Sequence, residues 1–148
     1  MADLFSYAGK RVVLTGGATG IGAALVDLLD DLGVEHLTIL DIKAPSGRCD
    51  RYLETDLADP ASIDAAIAQL DGPIDVLFSN AGVAATAGVR TCMAVNVAAS
   101  RRLTDGLFDR ITKGGTIVYT ASMAGNGWPA QVAEHAGVHD ASFVFRDS

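Results

Sequence analysis

Two cysteines, Cys49 and Cys92, are all that the 148 residues contain, and no C-x-x-C spacing occurs. That excludes a disulfide scaffold and a cysteine-held zinc site, and both thiols read as incidental. Basic residues are also few, 11 Lys and Arg against 18 Asp and Glu for a formal net charge of -7. A surface for nucleic acid needs clustered Lys and Arg, and Arg101-Arg102 is only a local pair, so no nucleic-acid partner is expected. No uncharged apolar run reaches the roughly 18 residues of a membrane span, and no membrane partner is expected. The N-terminus carries Asp3 and lacks a long apolar stretch, unlike a secretory signal, which makes the cytoplasm the expected location. His135 and His139 are four apart with Glu134 and Asp140 nearby. No third ligand converges on them by sequence and Gly137 weakens a helix there, so no metal site is expected. Linkers and internal repeats are absent too. What remains, 49% hydrophobic and 20% charged, suits one compact domain over residues 1–148 with a single core.

The most informative segment is Thr15-Gly16-Gly17-Ala18-Thr19-Gly20-Ile21-Gly22. It stands between the apolar run Arg11-Val12-Val13-Leu14 and a helix-period stretch. Glycine suits a chain that must turn sharply off a strand and bring bare backbone N–H groups to a pyrophosphate at the positive end of the next helix. The candidate cofactor-binding positions in the turn are Gly16, Thr19, Gly20, Ile21 and Gly22. The next apolar run, His36 to Leu40, ends in Asp41. An acid about 20 residues past such a turn can accept hydrogen bonds from the adenosine ribose hydroxyls, and its charge would repel a 2′-phosphate. Asp41 therefore points to NAD over NADP, with Lys43 close by as the opposing feature.

Strand-like and helix-like patterns alternate along the chain. Strands are expected at about 11–15, 36–40, near Tyr52-Leu53, at 74–79 and at 116–120. The helix from Gly20 to Leu32 is expected to lay Ile21, Leu25, Leu28, Leu29 and Leu32 on the sheet. Pro60 opens a second helix with Ile63, Ala66, Ile67 and Leu70 on one side, stopped by Asp71-Gly72-Pro73. A third, Val95 to Leu107, turns Leu103 and Leu107 inward, and Gly114-Gly115 introduces the fifth strand. Near-continuous apolar strands between amphipathic helices imply an α/β fold, a parallel sheet covered on both faces.

On these residues the chain resembles the N-terminal part of a short-chain dehydrogenase/reductase. The family's T-G-x-x-x-G-x-G turn is matched at Thr15, Gly16, Gly20 and Gly22, and its cofactor-choosing acid at Asp41. Asp56-Leu57 matches the pair placed against the adenine ring. Ser79-Asn80-Ala81-Gly82 is similar to the family's N-N-A-G, with Ser79 replacing the first Asn. Asn96 in Met93-Ala94-Val95-Asn96-Val97 is like the helix-four Asn, and Ser122 in Tyr119-Thr120-Ala121-Ser122 is like the active-site Ser. The resemblance implies a Rossmann-type, doubly wound, three-layer sheet whose C-terminal strands and helices are missing, leaving an incomplete NAD-binding domain. It also implies NAD as cofactor, with Asn80, Ala81 and Gly82 beside it, and a small-molecule alcohol or ketone as substrate. Ser122 would polarise the substrate oxygen and Asn96 would hold a water of the proton relay. A homo-oligomer is implied for the full-length protein. The segment Ser122 to Pro129, followed by a long stretch without Tyr, is similar to the bacterial 3α-hydroxysteroid and coniferyl-alcohol dehydrogenase branch, in which Trp128 could line an aromatic or steroid pocket.

One part of the family pattern is missing. Its catalytic Tyr and Lys are spaced Y-x-x-x-K, and Tyr7, Tyr52 and Tyr119 have no Lys four residues on. Two expectations stay open: the cofactor-binding half of an NAD-dependent oxidoreductase, inactive as written, or a dinucleotide-binding or interaction module without chemistry.

Overall fold

The computed structural model describes residues 5–126. Expectations for Trp128, for His135 and His139, and for most of the stretch after Ser122 lie outside the described residues.

Five parallel strands form one sheet in the order β3-β2-β1-β4-β5: β1 Arg11–Thr15, β2 His36–Asp41, β3 Arg51–Glu54, β4 Ile74–Ser79 and β5 Ile111–Tyr119. β1 pairs residue for residue with β2, from Arg11 opposite His36 to Thr15 opposite Leu40, and on its other side with β4. The chain moves outward from β1 to β3, then crosses back to β4 on the far side of β1. Right-handed crossovers in opposite directions put their helices on opposite faces. Helix α1 (Gly20–Asp31) accordingly covers one face, while α2 (Pro60–Gln69) and the helical stretch before β5 cover the other. That stretch is α3 (Val89–Met93), a wide π-helical segment Ala94–Ala99, and α4 (Ser100–Leu107).

The period-two alternation of strands sorts the core into two halves. Val12, Leu14, Leu37 and Ile39 meet Val26 and Leu29 of α1. Val13, Leu40, Leu53 and Leu77 meet Ile63 and Ala66 of α2 with Leu103 and Leu107 of α4. An Arg102–Asp64 ion pair, both hydrogen bonds 2.6 Å, joins α4 to α2 on the outside. The hydrogen bond from Arg102 holds the Asp64 carboxyl below its usual range. At the other end of the sheet, Asp75 accepts from Arg11 N (2.9 Å) and from Thr112 Oγ1 (3.1 Å) and so links β4 to both neighbours.

Three expectations change. Leu29 of the expected α1 stripe is buried, but Ile21 and Leu28 are exposed and Leu25 and Leu32 half-buried; the inward face is Gly22, Val26 and Leu29. The leucine spacing suggested a broader stripe than one helix face on a sheet can bury, and Ile21 is turned toward the cleft described below. β5 begins at Ile111 and takes Gly114 and Gly115 into the strand through a register shift against β4 between Ile74 and Val76. Gly114 has φ +83, so the glycine pair makes an irregularity within the strand and not a turn before it. Helix geometry also starts earlier than expected, at Val89 rather than Val95.

Candidate functional site

The strand order reverses between β1 and β4, and the carboxyl ends of these strands open a cleft of about 1010 Å³. A reversal point of this kind leaves a crevice because the two flanking loops depart to opposite faces. Gly16, Thr19, Gly20, Ile21, Gly22, Asp41, Asp56, Leu57, Asn80, Ala81, Gly82, Asn96 and Ser122 all line the cleft. Residues up to 106 positions apart in sequence thus share one cavity. Among the described residues no Lys or Arg lines it.

The glycines serve two purposes. At Gly22 a Cβ would lie 1.7 Å from the Gly16 carbonyl oxygen, and at Gly16 one would lie 2.8 Å from the Cα of Ala81. Both are therefore needed for the chain to pack against itself. Gly20 shares with Gly16 a positive φ, +58 against +74, and differs in that nothing lies within 4 Å of its Cβ position. Only there does the absence of a side chain leave open space on the cleft wall. Close approach of a ligand to bare backbone fits Gly20, whereas Gly16 and Gly22 are explained by backbone contact.

The first turn of α1 has no side-chain cap, because Thr19 at the N-cap makes no hydrogen bond to it and the turn holds no acid. By contrast α2 is capped by Asp59, whose carboxylate accepts from Ala61 N. Helix N-termini leave N–H groups without intrahelical acceptors and carry partial positive charge, so the α1 terminus offers donors to an anion in the cleft. These residues fit the pyrophosphate of a dinucleotide.

Asp41 ends β2 at the lip of the cleft. Its Oδ2 accepts from Ala18 N (2.9 Å) and its Oδ1 from Lys43 N (3.0 Å), which fixes the carboxylate relative to the glycine turn. Asp56 accepts from Ala58 N (2.8 Å) within the loop before α2, and Leu57 is 8% exposed, its side chain in the core beneath the cleft. Exposed Ile42, beside Asp41, offers an apolar surface at the lip that the sequence reading did not single out.

Thr15 is the hub between the glycine turn and the opposite wall. Its hydroxyl, on a residue only 1% exposed, accepts from both Asn80 N and Ala81 N at 3.0 Å. The Asn80 amide returns the link by donating to the carbonyls of Thr15 and Gly16, both at 3.3 Å, while its Oδ1 accepts from Thr120 Oγ1 at 3.0 Å. β1, β4 and β5 are thereby tied together at the floor. The position of Thr15 at the head of the glycine turn was visible in the sequence, but its two distant acceptances were not.

Asn96 lies in the π-helical segment and holds Val83 at both backbone groups, accepting from Val83 N (2.8 Å) and donating to Val83 O (3.0 Å). It fixes the end of the Asn80–Gly82 wall. Ser122 follows β5 on the same rim, its carbonyl accepting from Gly125 N (3.1 Å).

A family profile described as short chain dehydrogenase matches residues 10–137. The chain is 37% identical over 126 residues to coniferyl-alcohol dehydrogenase from Pseudomonas sp., covering 85% of this chain and 49% of that protein. It is 34% identical to (+)-borneol dehydrogenase 1 from Salvia officinalis, covering 88% of this chain and 60% of that protein. The chain thus spans about half to three-fifths of the length of these curated relatives. Among solved structures, a short chain dehydrogenase from Burkholderia cenocepacia J2315 in complex with NADP superposes with a TM-score of 0.70 at 25% identity, over 88% of this chain and 66% of that one.

Proposed function

The chain belongs to the short-chain dehydrogenase family, and from that premise we propose that it is the cofactor-binding half of an NAD-dependent oxidoreductase interconverting an alcohol and its carbonyl. The observation that carries the reading is the uncapped first turn of α1 facing the cleft beside Gly20, with Asp41 fixed at the lip. The cofactor supplies or accepts the hydride. The helix N-terminus and the Gly20 opening receive its pyrophosphate, and Asp41 takes the adenosine ribose hydroxyls. A fixed carboxylate at the lip and a cleft without Lys or Arg among the described residues disfavour a 2′-phosphate, which supports NAD. The NADP bound to the Burkholderia relative makes cofactor choice the first thing to test.

On the substrate side, Ser122 donates its hydroxyl to the substrate oxygen, and Asn96 holds a water in a proton relay. Such oriented donors stabilise charge as it develops on that oxygen. The 148 residues contain no Y-x-x-x-K, so this chain by itself binds the cofactor without turnover. The likeness to coniferyl-alcohol dehydrogenase supports an aromatic or similarly bulky alcohol as the substrate class. The missing pair also favours a second reading, a dinucleotide-binding module without chemistry, and a catalytic assay of the protein as isolated from its source cells separates the two.

Fluorescence titration with NADH and NADPH tests the cofactor assignment. Tighter binding of NADH by at least tenfold is expected, with Asp41→Ala weakening NADH and reducing the discrimination. Preference for NADPH, or unchanged selectivity in Asp41→Ala, removes Asp41 from the ribose role.

A further inference from the structure

Ser79 closes β4 and is 6% exposed, yet it carries a hydroxyl at a position where the family motif that this segment resembles has Asn. A buried hydroxyl without a partner is costly, and that of Ser79 is satisfied by one neighbour, donating to Ser100 Oγ at 2.9 Å. Ser100 is the first residue of α4, where the wide π-helical turn returns to α-helix. Its hydroxyl lies 3.5 Å from the carbonyl oxygen of Asn96, at the long end of hydrogen-bond range. One turn further on, Thr104 Oγ1 donates to Ser100 O (2.8 Å).

A π-helical turn is wider than an α-helical one, and insertions of this kind persist where surrounding contacts hold them. Here the turn carries Asn96, whose side chain holds both backbone groups of Val83. The Ser79–Ser100 hydrogen bond links this helical stretch to the end of β4. We propose that Ser79 and Ser100 are a positioning pair: together they pin the Asn96 turn to the end of β4 and so set the cleft wall from Ala81 to Val83. Ser79 and Ser100 also line the cleft, and the role assigned to the pair is to hold that wall rather than to bind the ligand. Its effect on ligand binding passes through Asn96, and the proposal rests on the dinucleotide reading of the cleft.

The test is a double-mutant cycle in the 148-residue chain, following thermal midpoint and NADH affinity side by side. Ser100→Ala leaves the buried Ser79 hydroxyl without its acceptor, so the midpoint falls by several degrees. The Ser79→Ala/Ser100→Ala double variant removes both polar groups, and most of that loss is recovered because no buried hydroxyl is stranded. Positioning is not recovered. NADH affinity is expected to fall about fivefold in Ser100→Ala and to stay low in the double variant, while Ser100→Thr, which keeps the hydroxyl, remains within about twofold of wild type. Recovery of NADH affinity together with the midpoint, or an affinity unchanged throughout, overturns the proposal by reducing the pair to local satisfaction of a hydroxyl. Failure of the wild-type chain to bind NADH overturns the dinucleotide reading itself, and it is seen before any substitution is made.

Discussion

β1 and β5 are strands of the same parallel sheet, but four of the five residues of β1 are buried, and none of the nine in β5 is. β1 has a strand on each side and a helical layer on each face; β5 is paired only with β4 among the described residues. The glycine turn grows from the end of β1, while Ser122 hangs from the end of β5. The cofactor side of the cleft is therefore built on the most restrained strand, and the proposed substrate side on the least restrained one. A charged dinucleotide needs several donors held in fixed relation, which a central strand provides, since its neighbours remove freedom in every direction.

The largest break in this comparison is expected from Gly22→Ala. The added methyl would fall 1.7 Å from the Gly16 carbonyl oxygen and 2.8 Å from the Asn80 amide nitrogen, so the turn and the opposite wall cannot both keep their places. A loss of more than about 3 kcal/mol in urea unfolding is expected, together with loss of NADH binding. An Ala variant with wild-type affinity would show that the turn has slack the close packing denies.

A pair of truncations measures the difference between centre and edge directly. Leu14→Ala, at a side chain with no exposure in β1, is expected to cost about 3 kcal/mol, whereas Val118→Ala in half-buried β5 should cost less than about 1 kcal/mol. Equal losses by chemical denaturation would mean that β5 is as well packed as β1 in solution.

The smallest effect concerns Asp75, which joins the two halves at the opposite end of the sheet. The hydrogen bond from Arg11 N, with further help from Thr112, holds its carboxyl below the usual range despite partial burial. A depressed folded pKa adds stability above the unfolded value of about 3.9, and that stability is lost as pH falls through the folded value. The gap in thermal midpoint between wild type and Asp75→Asn should be widest above about pH 5 and narrow as the solution is acidified. A gap independent of pH would mean that the hydrogen bonds act without the charge.

The alternation of runs placed four of the five strands within a residue or two, and it placed α2 at Pro60, where proline suits the first helical turn. It misjudged the stripe of α1, because leucines recur there on more than one face and only contact with the sheet decides which are covered. It also misjudged the start of β5, since Gly114-Gly115 reads as a turn until pairing with β4 draws it into the strand. The candidate residues from Gly16 to Ser122 were legible as motifs, each with its own local signal. Thr15, Ser79 and Ser100 as links were not, because one hydroxyl looks like any other until its distant partner is known.

By itself, then, the sequence determined what is local or periodic: strand and helix identity, the glycine turn, the acid that ends β2, and the absence of a Y-x-x-x-K pair. These follow from residue chemistry over a few neighbours. The tertiary structure alone decided that Gly16 and Gly22 serve backbone packing while Gly20 opens the cleft, and that Thr15 ties the two walls. It also brought Ser79 against Ser100 at the turn carrying Asn96. The links of Ser79 and Thr15 join residues 21 to 66 positions apart, and only the folding of the sheet and its helices brings them within reach of a hydrogen bond.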